Sequence, residues 1–127
     1  MKIIVLFVFL LALLGWFSSS AKASEVISPE DFAAKIKEGD GVILDVRTPE
    51  EYAEGHLADA VLMNFYDGDF QQRLNELDRE KTYYVYCKSG GRSGRTAKMM
   101  KEAGFENVYD MKGGITAWNK AKLPTKK

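Results

Sequence analysis

The chain has 127 residues, 18 basic and 18 acidic side chains, and 46% hydrophobic residues. That length allows one domain with a modest core. The even charge balance lacks the basic excess of a nucleic-acid footprint. One cysteine and one histidine make neither an internal disulfide nor a typical metal site.

The N-terminus has the pattern of an export signal. Lys2 precedes a 15-residue, almost wholly apolar run, Ile3 to Phe17, shorter than the roughly 20 residues of a spanning helix. Ser18 to Ser20 and then Ala21-Lys22-Ala23 supply a small-residue cleavage pattern. A signal peptide over 1–23 is expected, cleaved after Ala23, with retention as an anchor as the other reading. Residues 1–25 are expected to lie outside the fold. Lys2 and Lys22 are the only charges of 1–23, so residues 24–127 carry 16 basic and 18 acidic groups, net −2. A periplasmic or secreted domain over 24–127 follows, with no membrane attachment after cleavage.

Ser28-Pro29-Glu30-Asp31 predicts a capped helix start, continued by Phe32, Ala33 and Ile36 and stopped at Gly39. Val42 to Leu44 predicts a buried strand. Thr48-Pro49-Glu50-Glu51 opens a short helix that ends at Gly55. Ala60 to Met63 predicts a strand, and Asp69 to Leu77 a helix with Phe70, Leu74 and Leu77 on one side. Thr82 to Tyr86 is β-branched and aromatic, which predicts a strand. Ser93 to Ala103 predicts a helix closed by Gly104. Asn107 to Asp110 predicts a strand, and Gly113-Gly114 leads to a last helix with Ile115, Ala117, Trp118 and Ala121. The tail Lys122 to Lys127 is polar and is expected to fray. Short apolar strands alternating with helices predict an α/β fold with a mainly parallel sheet covered on both faces. Strand order and oligomeric state are not readable from this pattern.

Ligands of such sheets bind beyond the carboxyl ends of the strands, and Cys87 falls there. It opens the run Cys87-Lys88-Ser89-Gly90-Gly91-Arg92-Ser93 between a strand and a helix. Backbone N–H groups of residues 88 to 92, the positive helix end, Lys88 and Arg92 are placed to stabilise anionic sulfur. The thiolate is the nucleophilic form. An inert core cysteine is the alternative, and polar neighbours argue against it.

Asp45-Val46-Arg47, Pro49-Glu50-Glu51-Tyr52, Gly55-His56-Leu57, Asn64, Cys87 to Ser93 and Gly113 to Trp118 together resemble a single-domain rhodanese. The resemblance runs from about Ser28 to Trp118. It implies a rhodanese-like sheet and sulfurtransferase activity without a cofactor. A cysteine takes a sulfane sulfur from a small anionic donor such as thiosulfate, holds it as a persulfide, and passes it to a thiol or cyanide-type acceptor. The cysteine sits at the base of a loop closed by an arginine, matching Cys87 and Arg92. Two positions depart from the family's pattern: Asp59, where glycine is frequent, and Tyr66, where proline is frequent.

Each site residue has a second reading. Gly90 and Gly91 either let the loop backbone approach sulfur or form a plain turn. Arg92 either binds the donor's sulfonate, or contacts the loop near the sulfur, or ties the loop to a nearby acid. Lys88 either gathers anions or is a solvated lysine. Ser89 and Ser93 are candidate donors to sulfur or sulfonate, with Ser93 equally a helix cap. Asp45 and Arg47 read as a supporting, partly buried pair, with a direct role in transfer as the lesser option. His56 reads as a hydrogen-bonded structural histidine, and Trp118 as core.

Rival functions weigh less. Four residues separate Cys87 from Arg92, one fewer than in cysteine phosphatases, so a phosphate ester fits poorly. A thiol–disulfide oxidoreductase usually has a second cysteine. A persulfide or sulfide carrier, without fast turnover, is the non-enzyme alternative.

Overall fold

The computed structural model describes residues 24–127; the expected signal peptide over 1–23 lies outside the described residues. Ten elements alternate along the chain. They are β1 (Glu25–Ile27), α1 (Pro29–Glu38), β2 (Val42–Asp45), α2 (Pro49–Glu54), β3 (Val61–Leu62), α3 (Phe70–Asn75), β4 (Thr82–Tyr86), α4 (Gly91–Glu102), β5 (Asn107–Met111) and α5 (Gly114–Lys120). The strands form one sheet in the order β1-β5-β4-β2-β3. All four pairings are parallel, so every strand's carboxyl end lies on the same edge.

Alternation along β4 explains the two-sided core, because successive side chains point to opposite faces. Tyr83 and Val85, with Cys87 beyond the strand, pack with Phe70 and Leu74 of α3 and Ala97 and Met100 of α4. Tyr84 and Tyr86 pack on the other face with Phe32 of α1 and Ile115 and Trp118 of α5. The α/β fold with helices on both faces is as expected. Among the described residues no helix is long and apolar enough to cross a membrane.

Local signals behave as their chemistry dictates at two helix starts. Ser28 Oγ accepts from the Asp31 amide at 3.1 Å. Thr48 and Glu51 form a reciprocal capping box: Thr48 Oγ1 accepts from the Glu51 amide and Glu51 Oε1 accepts from the Thr48 amide.

Three expectations are corrected. Glu25 belongs to the fold, because β1 pairs Glu25 with Tyr109 and Ile27 with Met111. The C-terminal tail is anchored: His56 and Lys126 exchange backbone bonds at 2.9 and 2.7 Å, and Trp118 Nε1 donates to Pro124 O at 3.0 Å. The helix after Cys87 begins at Gly91, with Gly90 as its cap in a left-handed conformation, so Ser93 is a buried residue of the first turn and not the cap. Asp59 stands where the resemblance favours glycine, and its φ of 64° is left-handed. A short polar side chain tolerates that region better than most.

Candidate active site

The site forms where β4 hands over to α4. Cys87 is 1% exposed, at the edge of the apolar cluster that contains Val85 and Ala97. Its sulfur nevertheless has polar neighbours. The Gly90 amide donates to Sγ at 3.1 Å, and Sγ lies 3.4 Å from Ser93 Oγ. Gly90 reaches this position at φ 111°, which glycine adopts readily. Gly90 supplies the only backbone bond to Sγ among the described residues, fewer than the ring expected over 88 to 92. The amides of Lys88, Ser89, Gly91 and Arg92 make no hydrogen bond among the described residues, so they remain available donors. The positive end of α4 reinforces them.

The loop backbone is braced from α5. The Ile115 amide donates to Cys87 O at 2.9 Å and the Thr116 amide to Lys88 O at 3.1 Å. The approach is so close that a Cβ on Gly114 would stand 2.5 Å from the Cys87 and Lys88 carbonyl oxygens. This bracing comes from Gly113-Gly114, which the sequence marks only as a break before a helix.

Arg92 takes the arrangement in which it ties the loop to an acid. Its Nη1 and Nη2 donate to Glu51 Oε1 and Oε2 at 2.7 and 2.9 Å. The Arg92 bond, working against partial burial, holds the Glu51 carboxyl down at about 2. The Arg92 guanidinium also stands 5.6 Å from the centre of the Tyr66 ring, which is 67% exposed. Glu51 is the residue that sequence reasoning missed as a site neighbour. Its capping role accounted for it fully, and nothing local pointed across to Arg92.

Asp45 ends β2 opposite Tyr86 of β4, and Arg47 follows two residues on. Arg47 Nε and Nη2 donate to the Asp45 carboxylate at 2.7–3.1 Å, and Nη2 also donates to Gly55 O at 2.7 Å. Tyr86 donates to Asp45 Oδ2 at 2.6 Å while accepting from the Leu57 amide at 3.1 Å. Burial, then the Asp45 charge, pushes the Tyr86 phenol well above its ordinary value and keeps it a donor. The pair is fully buried, more so than expected.

Lys88 and Ser89 are exposed on the loop. Lys88 helps line a polar cleft of about 250 Å³ together with Arg47, Glu51, Thr116 and Asn119. Cys87 does not line that cleft. His56 stacks on Tyr52 with ring centres 3.7 Å apart, and its Nδ1 lies 3.0 Å from Tyr52 O. That is a structural arrangement.

The profile of the rhodanese-like domain matches residues 28–121. The chain is 38% identical over 90 residues to the thiosulfate sulfurtransferase GlpE of Coxiella burnetii, covering 71% of this chain and 81% of that protein. It is 37% identical over 107 residues to the putative sulfur carrier protein YrkF of Bacillus subtilis, covering 82% of this chain but 57% of that protein. Among solved structures, a rhodanese-related protein from Thermoplasma volcanium superposes with a TM-score of 0.72 at 27% identity, over 80% of this chain and 97% of that one. The loop at the end of a parallel strand, the sheet that carries it and these similarities agree: the chain belongs to the rhodanese-like family.

Proposed function

We propose that this chain is a sulfurtransferase that moves a sulfane sulfur from a small anionic donor, with thiosulfate as the test case, through a persulfide on Cys87. The thiolate attacks the outer sulfur of thiosulfate, a new S–S bond forms, and sulfite leaves with the electron pair of the old one. A thiol or cyanide-type acceptor then attacks the terminal sulfur and releases the Cys87 thiolate. The observation that carries this reading is the Gly90 amide on Sγ, inside a loop with four further amides unused. Fixed donors of this kind stabilise charge on the terminal sulfur as an oxyanion hole does on oxygen. Lys88, Ser89, Gly91 and Ser93 complete the anionic subsite, while Asp45 and Arg47 support the loops around it. Residues 1–23 would direct this chemistry to the periplasm or outside the cell.

Intact mass after mixing with thiosulfate tests the proposal. One added sulfur atom is expected on the wild type, lost on adding cyanide or a thiol, and absent from Cys87→Ser. An unmodified wild type would refute it. Similarity to a putative sulfur carrier protein keeps a second reading in view. A carrier would load with sulfur but turn over slowly with excess acceptor, whereas a transferase completes many cycles.

A further inference from the structure

Asp110 is a buried carboxyl group with no role so far. It is 5% exposed, and its Oδ1 has no hydrogen-bond partner among the described residues. Buried polar atoms are nearly always paired, so an orphan calls for an explanation. Parallel pairing sets Asp110 beside Val85 of β4, and Cys87 lies two residues further along on the same face. From α4, Ser93 and Gly94 cover it: a Cβ on Gly94 would stand 3.7 Å from Asp110 Oδ2. On its other side β1 places Val26 opposite. Of these facing residues only Cys87 carries an ionisable side chain. Burial raises the Asp110 carboxyl to about 6 and the Ser93 hydroxyl draws it back, while Ser93 Oγ itself lies 3.4 Å from Gly90 O. The same hydroxyl lies 3.4 Å from Cys87 Sγ.

We propose that Asp110 shares the Cys87 proton through the Ser93 hydroxyl, taking it when the sulfur becomes anionic and returning it when the thiol re-forms. In one form Cys87 S–H donates to Ser93, Ser93 O–H turns from Gly90 O to the Asp110 carboxylate, and the single negative charge rests on Asp110. In the other, Asp110 O–H donates to Ser93, Ser93 O–H donates to sulfur, and the charge rests on Cys87. One proton moves at each hydrogen bond, and the net charge stays at −1. When thiosulfate loads the sulfur, a thiol, a carboxylate and thiosulfate become a persulfide anion, a carboxylic acid and sulfite. The total charge is unchanged, and no proton has to leave the buried site. Asp110 is thus a positioning residue for the proton and does not touch the donor.

The role in transfer rests on the sulfur-transfer reading, but proton sharing can be tested without any sulfur donor. The pH profile of Cys87 alkylation by iodoacetamide reads the thiolate alone. Two coupled groups titrate in two macroscopic steps. The wild type is expected to gain reactivity in two steps, the lower where Asp110 ionises. Asp110→Asn is expected to show a single step and to react severalfold faster near neutral pH, since no neighbouring carboxylate opposes the thiolate. Asp110→Glu restores the two steps. Ser93→Ala shrinks the lower step, because the protonated carboxyl loses its hydroxyl acceptor and the sulfur its donor. A single step in the folded wild type would overturn the proposal, even if Asp110→Asn does not fold, and so would two steps in Asp110→Asn. Either result leaves the persulfide mass shift standing, and a missing mass shift leaves the alkylation profile standing.

Discussion

Arg92 meets Glu51 fork to fork, with two bonds of 2.7 and 2.9 Å joining the first turn of α4 to the first turn of α2. The pair holds the Cys87 loop against the opposite lip of the site. It is partly exposed, with side chains 16% and 25% accessible, so its worth to global stability is about 1 kcal/mol or less. Its effect on the loop should be larger. Arg92→Ala is expected to slow persulfide formation from thiosulfate by about tenfold or more, equivalent to ~1.4 kcal/mol, with only a small drop in melting temperature. Arg92→Lys should not rescue it, because an ammonium cannot make the planar fork. Single-turnover mass measurement beside a thermal melt checks this. A large melting loss with unchanged loading would count against it.

Asp45 and Arg47 invert that balance. Both are buried, and Tyr86 supplies a further bond to Asp45 at 2.6 Å. Removing one partner leaves a buried charge without compensation, at a cost of about 3–5 kcal/mol. Asp45→Ala is therefore expected to lose stability far more than Arg92→Ala. Tyr86→Phe should cost about 1–3 kcal/mol by removing one donor from Asp45 and the acceptor of the Leu57 amide. Urea denaturation distinguishes the three; a mild Asp45→Ala would argue that water reaches Arg47.

Gly114 tests whether α5 sets the loop shape. It sits at φ +59°, and a Cβ there would press on Cys87 O and Lys88 O at 2.5 Å. Those atoms are backbone, so the loop has to move. Gly114→Ala is expected to cost about 1–3 kcal/mol of backbone strain and to cut sulfur loading by at least about tenfold. Retention of full loading in a folded Gly114→Ala would show that the loop tolerates displacement.

Much of this architecture could be read from local pattern. Ser28 and Thr48 declare their helices because a hydroxyl before Pro and acidic residues satisfies free amides without tertiary help. Val42 to Leu44 and Thr82 to Tyr86 declare strands by apolar and β-branched character. Glu25 to Ile27 does not, since three residues carry no periodicity and their strand exists only through pairing with Tyr109 to Met111. The tail misleads for the same reason: Lys126 looks solvated, yet its backbone pairs with His56. At the site, Cys87 and its glycines were legible as a strand–loop–helix junction. The partners that come from elsewhere, Glu51 on α2 and Asp110 on β5, were not. Their contacts depend on strand order, which sequence spacing does not encode.

Glu51 and Asp110 pull the pH dependence of stability in opposite directions. Glu51 has its carboxyl lowered from 4.5 to about 2, chiefly by the Arg92 bond. The folded form therefore holds its proton less tightly than the unfolded chain, and its contribution is present above about pH 4.5 and lost as pH falls toward 2. Asp110 is raised from 3.8 to about 6 by burial. The folded form there holds its proton more tightly, so stability falls as pH rises from about 4 to about 6 and stays lower above that. A two-unit shift in a buried group corresponds to about 1–3 kcal/mol. Asp110→Asn is thus expected to stabilise the protein at pH 7 and to change it little at pH 4. Glu51→Gln should destabilise it at pH 7 and less as the pH falls toward 2. Chemical denaturation across that range checks both signs. A loss of stability at neutral pH in Asp110→Asn would mean that the carboxylate has a stabilising partner when ionised. A gain would mean that the fold retains a destabilising charge beneath its only thiol, the arrangement required if that carboxylate takes up the thiol's proton during sulfur transfer.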